Sequence, residues 1–187
     1  GELSQFMKSA NARKMSVTVS GGGTGTTGSR IPFGGAVVSL ERFNKILSVS
    51  NRDMAAVVDP GVMVDELKKA ADKEGLFYTS HPTESTAFMG GTVATNASGA
   101  RSFKYGPTRN YVNRLKMVLA DGSIVSLRRG EIFLKRGLNR INLGGGGIDL
   151  PLPSYTTPGV KCSSGYYVKD GMDLIDLFIG QEGTLSV

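Results

Sequence analysis

Two stretches in the first half of the chain carry apolar residues at helical spacing. Leu3, Phe6, Met7 and Ala10 predict an amphipathic helix over 2–14, and Val64, Leu67 and Ala71 predict a second over 63–74. Asp65 and Glu66 suit the first turn of the second helix, and Gly75 suits the position just past its end. Between them, β-branched runs predict strands at 16–20, 36–40 and 54–58, the last closed by Asp59-Pro60-Gly61. In the second half, Leu115–Leu119 and Ile124–Leu127 flank Ala120-Asp121-Gly122-Ser123 and predict a hairpin. Residues 130–160, with Gly144 to Gly147 and three prolines, read as a long, irregular and mobile insertion. Asp170 or Asp173 caps a short helix through Leu174, Ile175, Leu177 and Phe178, and 182–187 reads as a strand. The pattern is that of an α+β protein.

Two stretches do not look like core. Ser20-Gly21-Gly22-Gly23-Thr24-Gly25-Thr26-Thr27-Gly28 places five glycines in nine positions directly after a strand. A backbone so poor in Cβ atoms can aim consecutive N–H groups at an anion without any charged side chain, and a pyrophosphate is the natural guest. Gly23 to Gly28 also spells the dinucleotide fingerprint G-x-G-x-x-G. That fingerprint needs a helix opening inside it. Here Ser29-Arg30-Ile31-Pro32-Phe33-Gly34-Gly35 follows, which argues against a helix and against a Rossmann site. The plain alternative is a flexible hairpin loop with no ligand. The second stretch, Phe88 to Ala100, consists almost entirely of small residues. It can bury little area, so it suits a backbone lying against a large flat ligand. The alternative there is a short helix packed closely on a sheet.

Composition narrows the function classes. The chain has 187 residues, 40% of them hydrophobic and 20% charged, as expected of an ordinary globular protein. No apolar run approaches the length of a membrane span and no signal peptide is evident, so a cytoplasmic setting is expected. A single cysteine, Cys162, and a single histidine, His81, offer no disulfide and no metal cluster. The net charge of +6 invites a polyanion, but the basic residues are scattered and not interleaved with aromatics, so no nucleic-acid partner is expected. The chain opens on a helix with no strand before it and stops within an apparent strand, and so reads as cut at both ends.

Several stretches, taken in order, resemble one family. Ser20-Gly21-Gly22-Gly23-Thr24 is followed by Val93-Ala94-Thr95-Asn96-Ala97-Ser98-Gly99, Lys104-Tyr105-Gly106 and Leu119-Ala120-Asp121-Gly122. Gly171-Met172-Asp173-Leu174 and Leu177–Leu185 complete the series. The chain is similar to the FAD-binding (PCMH-type) domain of the vanillyl-alcohol-oxidase superfamily, particularly bacterial FAD-linked oxidases of the glycolate oxidase and D-lactate dehydrogenase type.

That resemblance implies two α+β lobes, 1–76 and 77–187, with a non-covalent FAD between them and the family's C-terminal cap domain absent. It assigns the FAD pyrophosphate to Ser20, Gly21, Gly22, Gly23, Thr24, Gly25 and Thr26. Pro82, Thr83 and Glu84, then Met89, Gly90, Gly91 and Thr92, would line the flavin's path. Thr95, Asn96, Ala97 and Ser98 would meet the phosphate–ribityl region, and Glu182, Gly183 and Val187 the adenine side. Three residues depart from the family pattern: Ser20 stands for an arginine, Phe88 for a threonine and Gln181 for a serine. The implied activity is oxidation of a small 2-hydroxy acid by hydride transfer to FAD, in a protein that is cytoplasmic or peripheral to a membrane. The alternatives are an enolpyruvyl-sugar reductase on the same fold and a non-enzymatic basic module. Neither a catalytic residue nor an electron acceptor follows from the sequence.

Overall fold

The computed structural model describes residues 1–80, 82–143 and 146–187. They form two compact units, 17–111 and 1–16 with 112–187. The division therefore differs from the one expected between 76 and 77. The reason lies in backbone hydrogen bonds: Val64 donates to Ala87 O, Asp65 to Ser85 O, Met89 to Val62 O and Gly90 to Pro60 O. These tie the stretch after the second predicted helix back onto residues 60–65.

The chain begins with helix α1 (Glu2–Ala12), which buries Met7 and Ala10. It stops two residues earlier than expected because Lys14 takes a left-handed conformation, φ 53°, and Met15 N–H closes onto Ala10 O. The unit 17–111 opens with β1 (Val17–Ser20) and β2 (Ala36–Ser39). These strands pair in parallel, Val17 opposite Ala36, so the glycine-rich link is a crossover and not a hairpin. β3 (Ile46–Ser50) and β4 (Ala55–Val58) follow as an antiparallel pair. β3 is not apparent from the sequence pattern, because two of its five residues are serine and none is fully buried. Helix α2 (Val64–Lys73) buries Val64, Leu67 and Ala71. Glu66 caps its start by accepting the Met63 N–H at 2.9 Å. Gly75 closes its end, donating to Asp72 O while Leu76 donates to Ala71 O. The small-residue stretch then forms α3 (Met89–Ala94), with α4 (Ser102–Tyr105) and a 3₁₀ turn at Thr108–Tyr111 after it.

In the other unit, β5 (Arg114–Val118) and β6 (Ile124–Arg128) form the predicted hairpin. Its turn glycine, Gly122, has φ +84° and lies directly beneath α1: a Cβ there would strike Ser4 O and Lys8 Cβ. Ser4 Oγ donates to the Gly122 carbonyl from the same helix. Residues 130–160 are not wholly irregular, because β7 (Leu138–Asn142) pairs antiparallel with β8 (Gly147–Pro151). A 3₁₀ turn, Leu174–Phe178, forms the centre of this unit's core: Leu174 and Ile175 are fully buried and Leu177 and Phe178 nearly so. Asp173, and not Asp170, caps it by accepting the Ile175 N–H at 3.1 Å. Asp176 is buried within the same turn and takes both ends of the Arg129 guanidinium, at 2.9 and 3.1 Å. Arg129 Nε donates to Val112 O at 2.9 Å, so one side chain joins the start of this segment, the end of β6 and the turn.

Two expectations follow. Gly61→Ala should destabilise the 17–111 unit by about 1–3 kcal/mol, because its Cβ would meet the Leu40 and Phe43 carbonyl oxygens, which cannot move away as a side chain can. Asp176→Ala should cost about 3 kcal/mol, since it leaves a half-buried guanidinium without its carboxylate, while Asp176→Asn should cost less. Urea denaturation of each variant reads both. An unchanged midpoint would contradict the assignment in either case.

Candidate functional site

The glycine loop leaves the carboxyl end of β1 and returns to the start of β2. Ligands of open α/β sheets characteristically meet the chain at such carboxyl ends. No helix forms in residues 21–35. Among the described residues, no backbone N–H from Gly21 through Gly28 donates to another protein group. Exposed backbone donors in a stretch this poor in side chains suit an anion, and they fit the two phosphates of a dinucleotide such as FAD.

This loop and the small-residue stretch come together. A Cβ on Gly21 would lie 3.9 Å from Gly91 Cα and 4.0 Å from Phe88 Cβ. One on Gly22 would lie 3.1 Å from both Phe88 Cδ1 and Thr86 O. Glycine at 21 and 22 thus lets the loop rest on residues 86–91. Gly91 has nothing within 4 Å of its own Cβ position and faces open space. Gly90 faces inward, where a Cβ would lie 2.6 Å from Pro60 Cβ.

The remaining candidates in this unit divide clearly. Ser20, Gly23 and Thr24 are half-buried, and Gly25 and Thr26 are exposed. Thr83 and Glu84 are exposed as well, and Thr86 N–H and its hydroxyl bond Glu84 Oε1 at 3.1 and 2.8 Å. Those hydrogen bonds, the backbone one foremost, lower the Glu84 pKa below the ordinary carboxylate value. Pro82 and Thr92 are buried, contrary to a role lining an open surface; the Thr92 hydroxyl bonds Met89 O at 2.8 Å. The amides of Met89 and Gly90 are already used by Val62 O and Pro60 O, which removes both as ligand donors. The Thr95 hydroxyl donates to Gly91 O at 2.9 Å. Asn96, with φ 45°, accepts the Arg109 N–H through Oδ1, and Ala97 O accepts from Thr108. The Asn96 backbone N–H donates to Val93 O at 3.0 Å, so among the described residues this leaves the Asn96 side-chain Nδ2 and the Ser98 hydroxyl without protein partners. His81 lies outside the described residues.

Two residues that the sequence pattern did not single out belong here. Tyr78 sits beneath α3 with its hydroxyl 3.9 Å from Met89 Sδ, and burial pushes its pKa up to about 12. It stays neutral at ordinary pH and cannot serve as a base. Arg30 lays its guanidinium over Gly23, at the place a side chain would occupy. An isolated arginine in a loop carries no motif, so no sequence signal could have found it.

In the other unit, Glu182 and Gly183 form an exposed turn with positive φ, 52° and 80°. Gln181 builds that turn from inside: its Nε2 donates to Ser186 O at 3.0 Å and its Oε1 accepts from Leu185 N at 2.7 Å. Val187 exchanges both backbone hydrogen bonds with Val118, at 2.8 and 2.9 Å, so neither main-chain group remains for a ligand. Among the described residues, no group of His, Cys, Asp or Glu is placed to hold a metal, and no helix is long and apolar enough to cross a membrane.

The match to known proteins agrees with this geometry. A D-lactate dehydrogenase of Archaeoglobus fulgidus is 38% identical over 187 residues, covering 100% of this chain and 34% of its own. One of Anaerostipes hadrus is 36% identical over 187 residues, covering 100% of this chain and 32% of its own. The chain thus spans about a third of the length of these relatives. The solved structure of an alkyldihydroxyacetonephosphate synthase superposes with a TM-score of 0.67 at 21% identity, over 99% of this chain and 27% of the other, and shows the shared fold. The family described as "FAD binding domain" matches residues 1–128. The chain belongs to the FAD-binding domain family.

Proposed function

We propose that this chain is the FAD-holding part of a dehydrogenase that oxidises a small 2-hydroxy acid of the D-lactate kind. One observation carries the reading: a glycine loop with unused N–H groups rests on a second small-residue surface within one unit. The names of the relatives, which this chain matches along its whole length, support the substrate class. Bound FAD would accept a hydride from the carbinol carbon of such an acid. The chain's own contribution is binding and orientation. The loop 20–26 would neutralise phosphate through main-chain dipoles, and Gly91, Asn96 and Ser98 would lie along the rest of the cofactor. Thr83 and Glu84, on the exposed turn before residue 86, are proposed to border the same path, and Glu182 and Gly183 the adenine end. The buried and hydrogen-bonded residues Pro82, Met89, Gly90, Thr92, Thr95 and Ala97 would act as its support.

FAD should bind more tightly than FMN, because a pyrophosphate site and an adenine side serve only the larger cofactor. Calorimetric titration of apo-protein with each flavin tests this, and D-lactate should bleach the bound flavin's visible absorption anaerobically only where the substrate-binding part of the protein is also present. Equal or tighter FMN binding, or no flavin binding at all, would sink the proposal. Attachment should be non-covalent, since residues 21–28 hold neither histidine nor cysteine. Acid precipitation should therefore release all the yellow colour into the supernatant, and colour kept in the pellet would contradict it.

A further inference from the structure

The geometry points to Arg30 as a cationic ligand of the cofactor's pyrophosphate, with its guanidinium lying over Gly23 of the glycine loop. This rests on the FAD reading above and adds to it a residue that the loop's glycine pattern does not contain. Arg30 is the only charged residue between Ser16 and Leu40, so no carboxylate in this segment balances it. It is exposed, and among the described residues it has no hydrogen-bond or ion-pair partner. A long, flexible cation with no partner ordinarily extends into water, where its entropy is greatest. Here the guanidinium lies back over the loop instead. Its Nη1, Cζ and Nη2 are the atoms nearest to where a Cβ on Gly23 would be.

The placement also explains the residue beneath it. Gly23 has φ +72°, a left-handed conformation that favours glycine, and the guanidinium occupies the space that its missing side chain leaves. Ile31 N–H donates to Gly28 O at 2.9 Å, forming a turn that brings the chain back and holds Arg30 above the loop. A planar fork of N–H donors beside main-chain N–H groups that have no protein acceptor adds full charge and paired donors where a phosphate would bind. The main chain alone supplies only partial charges. Arg30 supplies the full positive charge that two phosphate groups call for.

The test compares Arg30→Ala and Arg30→Lys with the unaltered chain, titrating each with FAD and, separately, with riboflavin, which has no phosphate. Arg30→Ala should weaken FAD binding about tenfold to a hundredfold. Arg30→Lys should recover part of the loss, and the salt dependence of FAD binding should be shallower in Arg30→Ala. Riboflavin affinity should be the same in all three proteins, and circular dichroism should match, as expected for an exposed side chain. FAD affinity unchanged in Arg30→Ala would overturn this assignment and leave the FAD reading standing. A loss of riboflavin affinity equal to that for FAD would also overturn it, by showing that Arg30 shapes the loop without touching phosphate. Failure of the unaltered chain to bind FAD would instead overturn the reading on which this one rests.

Discussion

The candidate site depends on main-chain segments lying closer together than side chains would permit. Gly61 presses on the carbonyl oxygens of Leu40 and Phe43, and Gly90 presses on Pro60. Each contact is sealed by a backbone hydrogen bond, Gly61 N–H to Phe43 O and Gly90 N–H to Pro60 O. These two crossings fix where residues 86–91 run, and so where Gly21 and Gly22 can rest. Such contacts bury little apolar area and gain stability mainly by satisfying polar groups that would otherwise be stranded. The main chain is close-packed where these glycines meet it, and among the described residues the amides of 21–28 have no protein acceptor.

This division separates residues whose polar groups are already bonded within the protein from those whose groups are not. A hydroxyl or amide already used within the protein has little left to offer a ligand, however well its residue type suits one. Thr92, Thr95 and Ala97 are of that kind, as are the amides of Met89 and Gly90. Gly91 and the glycine loop are not. The electrostatics follow the same logic. Tyr78 is held neutral by burial, and the Thr86 hydrogen bonds lower the Glu84 pKa. The Arg30 guanidinium lies directly over the loop.

The unit containing the carboxyl terminus is organised by a different kind of contact. Asp176 and Arg129 are joined in a bidentate pair, and Asp173 caps the same turn while accepting the Gly130 N–H. Two carboxylates in one short 3₁₀ turn would be costly to bury alone. Paired with a guanidinium and main-chain donors, they fix the turn against the end of β6.

The sequence by itself determined the elements whose signal is local: both long helices, the strands on either side of the glycine loop, the Asp-Gly hairpin and the caps of α2. It also marked the two stretches proposed to face the cofactor, because a shortage of Cβ atoms is a property of composition. Only the tertiary structure decided the parallel pairing of β1 with β2, which relates residues across a crossover with no helix to announce it. It alone showed that residues 138–151 contain a hairpin despite their glycines. Which of the small residues face outward was likewise settled by partners distant in sequence: Pro60 turns Gly90 inward, Val118 takes up Val187, and Thr108 and Arg109 claim Ala97 and Asn96. Residue type states what a group can bond. Whether that bond is already made depends on which segment folds against it, and no local pattern encodes that.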